Sequence, residues 1–203
     1  MESVPLFPLS RALFPQGPLL LRIFEVRYLD MIRRCLEQDT EFGVVALTSG
    51  SEVRSAFGTE TFIAAGTLAR IEEAHTPMPG LIQIKCCGTE RFRLLGSHQV
   101  AGGLWIGEIE RLGPDSDQPI PDDLQPCAQA LGKIIADLQT DGVPPEAMPM
   151  QQPFRLDDTA WVANRWAELL PLPPTQKELL LTTQDPVLRL DMLREVLLVK
   201  GIL

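Results

Sequence analysis

The sequence predicts an α+β fold, in which an antiparallel β pseudo-barrel or sandwich carrying one inserted helix is followed by a C-terminal helical subdomain. Three observations predict it. Between residues 19 and 112 the apolar runs are short, and several alternate with polar residues at period two. One stretch in that half, residues 25–38, instead carries its apolar residues at helical spacing. Then comes a polar, proline-rich joint, Gly113-Pro114-Asp115-Ser116-Asp117-Gln118-Pro119-Ile120-Pro121, beyond which only the helical period appears. The expected division is residues 1–117 for the β-rich part and 118–203 for the helical part. A chain of 203 residues that is 45% hydrophobic and 22% charged has a globular composition, long enough to bury a sizeable core.

Taken in order, Leu19 to Phe24 is extended and apolar. Tyr28, Ile32, Cys35 and Leu36 then form the inward stripe of an amphipathic helix, with Arg27, Asp30, Arg33, Arg34 and Glu37 expected in solvent. Phe42-Gly43-Val44-Val45-Ala46-Leu47 is a continuous apolar run, the pattern of a strand covered on both faces. A polar stretch over 49–58 separates it from the strand Phe62–Ile71. Pro77-Met78-Pro79-Gly80 supplies a fixed φ and then a permissive glycine, and Ile82, Ile84 and Cys86 alternate with Gln83 and Lys85 after it, which predicts a hairpin. Gly88-Thr89 is expected to turn the chain into a further strand at Arg91–Leu95, and Leu104 to Leu112 supplies the last one.

In the second half Leu124, Ala128, Leu131, Ile135 and Leu138 recur at helical spacing, with Pro126 placed for the first turn. A Pro/Met-rich loop over 141–154 leads to a helix over 158–170 that bears Trp161, Val162, Trp166, Leu169 and Leu170. Pro171, Pro173 and Pro174 stop it. Thr175-Gln176-Lys177-Glu178 has the form of a capping box, and Asp185-Pro186 places an N-cap before a first-turn proline. The last helix is expected to bury Val187, Leu190, Leu193 and Leu197.

Several chemistries fail on residue type and spacing. Of the lysines only Lys133 follows a glycine, and Ile134 stands after it, so a phosphate-binding loop is not expected. No Gly-x-Ser-x-Gly occurs, and the adjacent Ser97-His98 is expected on a solvated turn rather than in a triad. His75, His98, Cys86 and Cys87 lack structural-zinc spacing, and neighbours on a strand face opposite ways, so Cys86 and Cys87 cannot share an ion. The acidic run Asp115, Asp117, Asp122 and Asp123 lacks the glycine and distal glutamate of a calcium loop. The expectation is therefore no catalytic residue, no cofactor and no metal. With a net charge of −9 and a pI near 4.7, a phosphate-tracking surface is disfavoured. No leader, sorting signal or span of about 20 apolar residues is visible, which with unpatterned cysteines predicts a cytoplasmic protein away from membranes.

One signal runs the length of the chain. Pro5-Leu6-Phe7-Pro8-Leu9, Leu13-Phe14-Pro15 and Leu19-Leu20-Leu21-Arg22-Ile23-Phe24-Glu25-Val26-Arg27-Tyr28 resemble the opening of the Lon protease N-terminal, substrate-binding domain. Phe42-Gly43-Val44-Val45, Gly66-Thr67-Leu68-Ala69-Arg70-Ile71, the hairpin at 77–80, Cys87-Gly88-Thr89-Glu90-Arg91-Phe92-Arg93-Leu94, and Gln176-Lys177-Glu178-Leu179-Leu180 with Asp185-Pro186 and Arg189-Leu190 are similar to that family's successive blocks. The resemblance implies a PUA-like β subdomain followed by helices, used to engage unfolded or degron-bearing polypeptides. The ATPase and Ser-Lys peptidase parts have no counterpart in these 203 residues.

Two function classes follow. The first is a stand-alone, non-catalytic polypeptide-recognition module, working with or without a separate protease or ATPase. Its signature would be an exposed apolar patch at the hairpin tip. The second is an RNA-binding or RNA-associated protein, whose signature would be a basic face of Arg70, Arg91 and Arg93. For the first, the candidate contacts are His75 and Met78 at the hairpin, joined by Met148 and Met150 from the Pro/Met-rich loop. Methionine between two prolines at a tip suits a surface that adapts to many apolar partners. The competing reading folds Met78 back on the barrel and places Met148 and Met150 over the seam between subdomains.

Overall fold

A computed structural model describes residues 2–52 and 60–203; the rest of the polar stretch expected after the third apolar run lies outside the described residues. Six strands and five helices follow in the order β1 (Glu2–Leu9), β2 (Pro18–Ile23), α1 (Val26–Gln38), β3 (Phe42–Ser49), β4 (Thr61–Met78), β5 (Leu81–Gln99), β6 (Trp105–Arg111), α2 (Gln125–Thr140), α3 (Thr159–Leu169), α4 (Pro174–Thr182) and α5 (Pro186–Val199). The sheet order is β2-β5-β4-β3-β1-β6, and a further β5–β6 pairing brings it round on itself. The fold is thus the expected mixture of sheet and helix, with three differences of detail.

First, a strand precedes the run at Leu19, the earliest extended segment expected: β1 forms although Pro5 and Pro8 lie within it. Its first half pairs with β6 and its second half with β3, overlapping only at Leu6. Bonded on one side at a time, the strand can carry prolines without losing ladder hydrogen bonds. The β1–β3 pair is parallel, so the sheet is mixed, and β2 and α1 supply the crossover that a parallel pair needs. Second, Gly88-Thr89 is no turn: β5 continues through it for 19 residues. A side chain at Gly88 would strike the Phe14 carbonyl, so the glycine serves a close approach between β5 and the loop before β2. The true turn is at Gly80, whose φ of +82° only glycine adopts freely. Third, Ser97 and His98 lie within β5, opposite Gly107 and Ile106 of β6, and are exposed.

Helix α1 packs against the sheet through Tyr28, Met31, Ile32 and Cys35, with the Tyr28 ring stacked on Phe7 at a centroid distance of 4.0 Å. Two expectations there are corrected. Leu36 is 45% exposed, because it sits at the margin of the buried arc in the last turn, beyond Cys35, the last buried residue of the helix. Arg27 is buried, not solvated: its guanidinium donates to the Gly103 carbonyl at 2.9 Å and to Glu60 at 3.0 Å. Arg33 and Arg34 do stand in solvent. Ile32→Val is expected to cost about 1 kcal/mol and Arg33→Ala less than about 0.5, read from thermal midpoints. Equal effects would mean that the buried face of α1 is misassigned.

The helices form a second core, with Trp161, Trp166, Leu131, Leu190, Leu193 and Leu197 at its centre, and Phe14, Ala46, Ile63 and Ala65 of the β half join it. Asp185 caps α5 as expected, its carboxylate accepting from the Val187 backbone N–H at 2.9 Å, and Asp158, expected inside α3, instead caps it, accepting from the Ala160 N–H at 2.9 Å. The capping box at Thr175 does not form. Pro174 begins α4 one residue earlier, and the Lys177 side chain turns away to the last carbonyls of α3.

Candidate functional site

The first half of β5 is flanked by β2 and by the far end of β4, making a three-stranded ribbon. Directly opposed residues of antiparallel strands share a face. Leu20 lies opposite Lys85 and Arg22 opposite Gln83, while Lys85 faces Glu73, Gln83 faces His75 and Leu81 faces Met78. A Lys85–Glu73 ion pair of 3.2 Å closes across that face. The opposite face carries Leu19, Ile23, Ile82, Ile84 and Cys86 into the core with α1. The outward face therefore holds Leu20, Phe24 just beyond β2, and Met78 at 59%, 57% and 58% exposure, spaced among polar residues. His75 and Met78, picked out from the sequence, stand together on it, and Met78 does not fold back on the barrel. Leu20 and Phe24 were missed. The sequence shows them only as part of an extended apolar run, and the register opposite Lys85 shows which side Leu20 takes.

Met148 and Met150 do not join them. Both are buried in the helical core, and both border a cleft of about 1040 Å³ at the other end of the ribbon. One wall of this cleft is β2 (Pro18, Leu20 and Leu21), another the loop Leu9–Leu13, and a third the Pro/Met-rich loop. Met148 and Met150 are thus wall packing, not exposed contacts. Glu168 of α3 fixes the second wall: its carboxylate accepts from the Phe14 N–H at 2.9 Å and pairs with Arg165 at 3.0 Å. Burial raises the Glu168 pKa, against the opposing pull of Arg165. Arg165 in turn donates to the Pro15 carbonyl at 2.7 Å. Lys177, whose pKa burial lowers to about 8, donates to the Leu170 carbonyl at 2.8 Å at the end of the same helix. The loop beside the cleft is therefore held by polar contacts to α3, together with backbone bonds of Gln16 and Gly17 with Gly88 of β5 and the Thr67 hydroxyl donating to the Leu13 carbonyl.

Residues 3–199 match the family model of the ATP-dependent protease La (LON) substrate-binding domain. The chain belongs to the Lon substrate-binding domain family. It is similar to the crystal structure of a Lon N-terminal domain protein from Xanthomonas campestris, at 33% identity and a TM-score of 0.74, over 96% of this chain and 98% of that one. The N-terminal domain of the Mycobacterium avium complex Lon protease shares the fold at 18% identity and a TM-score of 0.58, over 96% and 97% of the two chains. Cereblon from Xenopus tropicalis is 26% identical over 121 residues, which is 59% of this chain and 26% of cereblon. This chain thus spans about a quarter of the length of that curated relative.

Within this Lon substrate-binding domain the other candidate groups are placed as follows. Among the described residues no three His, Cys, Asp or Glu side chains are grouped to hold a metal ion. Cys86 is buried and its pKa is pushed up by that burial to about 12, the opposite of what a nucleophilic thiol requires. Arg91 is buried: it donates to Asp115 at 2.6 Å and to the Leu181 carbonyl at 2.7 Å. Arg93 pairs with Glu110 at 3.0 Å. Of the three arginines that a basic face would need, one is inside the protein and one is matched by an acid. No helix among the described residues is long and apolar enough to cross a membrane.

Proposed function

We propose that the protein is a polypeptide-recognition module: it binds unfolded or degron-bearing chains and does no chemistry on them itself. The observation that carries this reading is the outward face of the β2-β5-β4 ribbon, where Leu20, Phe24 and Met78 are each more than half exposed and the face runs into the cleft. Separate apolar side chains set among Arg22, His75, Gln83 and Lys85 suit a partner whose sequence varies, since the polar neighbours keep the face soluble when it is empty. Membership of the Lon substrate-binding family supports the same reading. In this reading residues 1–117 present the ribbon and residues 118–203 back the cleft, with Met148 and Met150 as its apolar wall and His75 and Met78 as contacts at the tip. The protein works in the cytoplasm, and hydrolysis of the bound chain belongs to a separate protease or ATPase. An RNA-binding role is the weaker reading, since Arg91 and Arg93 are spent on Asp115 and Glu110.

The test is fluorescence anisotropy with labelled, reduced and carboxymethylated lactalbumin, a chain that cannot refold. Met78→Asp and Leu20→Asp are each expected to weaken binding about 10-fold, roughly 1.4 kcal/mol, whereas Leu198→Asp on the far helix leaves it unchanged. Unaltered affinity in both ribbon variants, with circular dichroism unchanged, would remove the ribbon face from the site. Casein and ATP are expected to remain uncleaved by purified protein. Turnover of either that a single substitution in this chain abolishes would overturn the non-catalytic reading.

A further inference from the structure

The strand that borders the cleft is also the open end of the sheet. β2 is the first strand in the sheet order, and among the described residues it pairs with β5 alone. No loop among those residues donates to or accepts from the backbone of residues 18–23. Alternate residues of β2 therefore turn unpaired N–H and C=O groups outward, as on any edge strand. The cleft meets this edge and not just one face: Leu20 and Leu21, whose side chains point to opposite faces, both line it. Pro145 and Pro149 of the facing wall each lack the N–H that pairing with this edge would use. Pro18 opens the strand and the exposed Arg22 stands one residue from its end, features that disfavour edge-to-edge pairing with a second copy of the protein.

We propose that a client chain docks by adding itself to β2 as a further strand, lying in the cleft in extended form. The proposal rests on the polypeptide-recognition reading above and specifies how recognition is achieved. A row of main-chain donors and acceptors is complemented by one chemistry, the backbone of an extended peptide, whatever its sequence. β2 offers six residues, about 20 Å of strand. Alternate side chains of the added strand then fall beside the exposed Leu20 on the ribbon face, so the preferred segment is uncharged with apolar residues at every second position. Main-chain bonds supply affinity without sequence preference, and the apolar ribbon face supplies selection for unfolded chains.

The experiment compares a fluorescein-labelled nonapeptide of alternating leucine and threonine with two backbone N-methylated versions, one methylated on every leucine and one on every threonine. A strand with a single neighbour turns the N–H groups of one alternate set toward it. One methylated peptide is therefore expected to lose at least 10-fold in affinity and the other to bind as the parent does. Amide hydrogen exchange, run on the full chain with the parent peptide, is expected to slow at alternate residues of 18–23. Equal binding of all three peptides, or no binding of the parent while carboxymethylated lactalbumin still binds, overturns strand addition and leaves the recognition reading standing. Slowed exchange over 18–23 that appears without peptide, together with a dimer in sedimentation, also overturns it and assigns the edge to a second copy. If lactalbumin itself fails to bind, the recognition reading fails and strand addition falls with it.

Discussion

Asp115→Ala is expected to lower the thermal midpoint by on the order of 10 °C, the equivalent of about 3–5 kcal/mol in a chain of this size. Asp115 lies in the joint between the β and helical halves, where the sequence suggests a solvated linker. Instead its carboxylate accepts from Arg91 at 2.6 Å, from Arg189 at 2.8 Å and from the Asn164 amide at 3.0 Å. The two guanidinium groups it joins come from opposite halves, Arg91 from β5 and Arg189 from α5, and both are buried. Both also donate to main-chain carbonyls at the end of α4, Arg91 to Leu181 and Thr183 and Arg189 to Thr183, and Arg189 donates further to the Asn164 Oδ1 at 2.8 Å. Removing the carboxylate leaves two buried cations side by side, so the loss exceeds the net worth of the bonds themselves. Asp122→Ala, on the exposed side of the same joint, serves as the comparison. Equal midpoints for the two variants would show that Asp115 does not hold the halves together.

The same cluster fixes a pH dependence. Burial alone would raise the Asp115 pKa, but Arg189 and Arg91, with the Asn164 amide, outweigh it and hold the carboxyl below its ordinary value of 3.8. A carboxylate depressed in the folded state binds protons more readily when unfolded. Its contribution is therefore full above its unfolded pKa and is lost as pH falls through the folded one. Wild-type stability should fall on acidification below about pH 4, and in Asp115→Asn the acid limb should be shallower. Arg91 behaves consistently: burial and the neighbouring Arg189 push its pKa down to about 10, and Asp115 opposes them.

The sequence makes legible those parts whose cause is local. Tyr28, Ile32 and Cys35 of the α1 stripe, the Asp185 cap of α5 and the turn at Gly80 each depend on residues a few positions apart, and each is found where the spacing puts it. What the sequence hides depends on partners far along the chain. Arg27 looks like a surface residue until Glu60, 33 positions away, is placed beside it. Gly88 carries the signal of a turn, yet its small size serves the approach of the Phe14 carbonyl. β1 is masked by its prolines, which are tolerated only because each half of the strand has one neighbour. The candidate site divides in the same way. Met78 was legible because a turn places its residues outward by geometry, while Leu20 was not, because one position of register decides whether an edge-strand leucine faces the core or the solvent. Met148 and Met150 share a composition with contact surfaces and a location with the core, and composition alone does not separate the two.

Trp166→Ala is expected to have an effect of similar size, about 3–5 kcal/mol, and to reach the cleft as well as the core. The indole is among the largest fully buried side chains, sits at the centre of the helical cluster, and donates from Nε1 to the Cys127 carbonyl at 2.9 Å, linking α3 to α2. Met148 and Met150 belong to the same cluster and also line the cleft. A cavity in the cluster they share loosens the packing behind that wall, because side chains around a void lose attraction they cannot recover. The variant should therefore bind carboxymethylated lactalbumin more weakly even at temperatures where circular dichroism reports it folded. Trp166→Phe keeps most of the volume and loses chiefly the hydrogen bond, so its cost should be nearer 1 kcal/mol and its binding close to wild type. A Trp166→Ala protein that melts with the wild type would remove the indole from the core. One that melts early and binds unchanged while folded would separate the wall of the cleft from the helical core behind it.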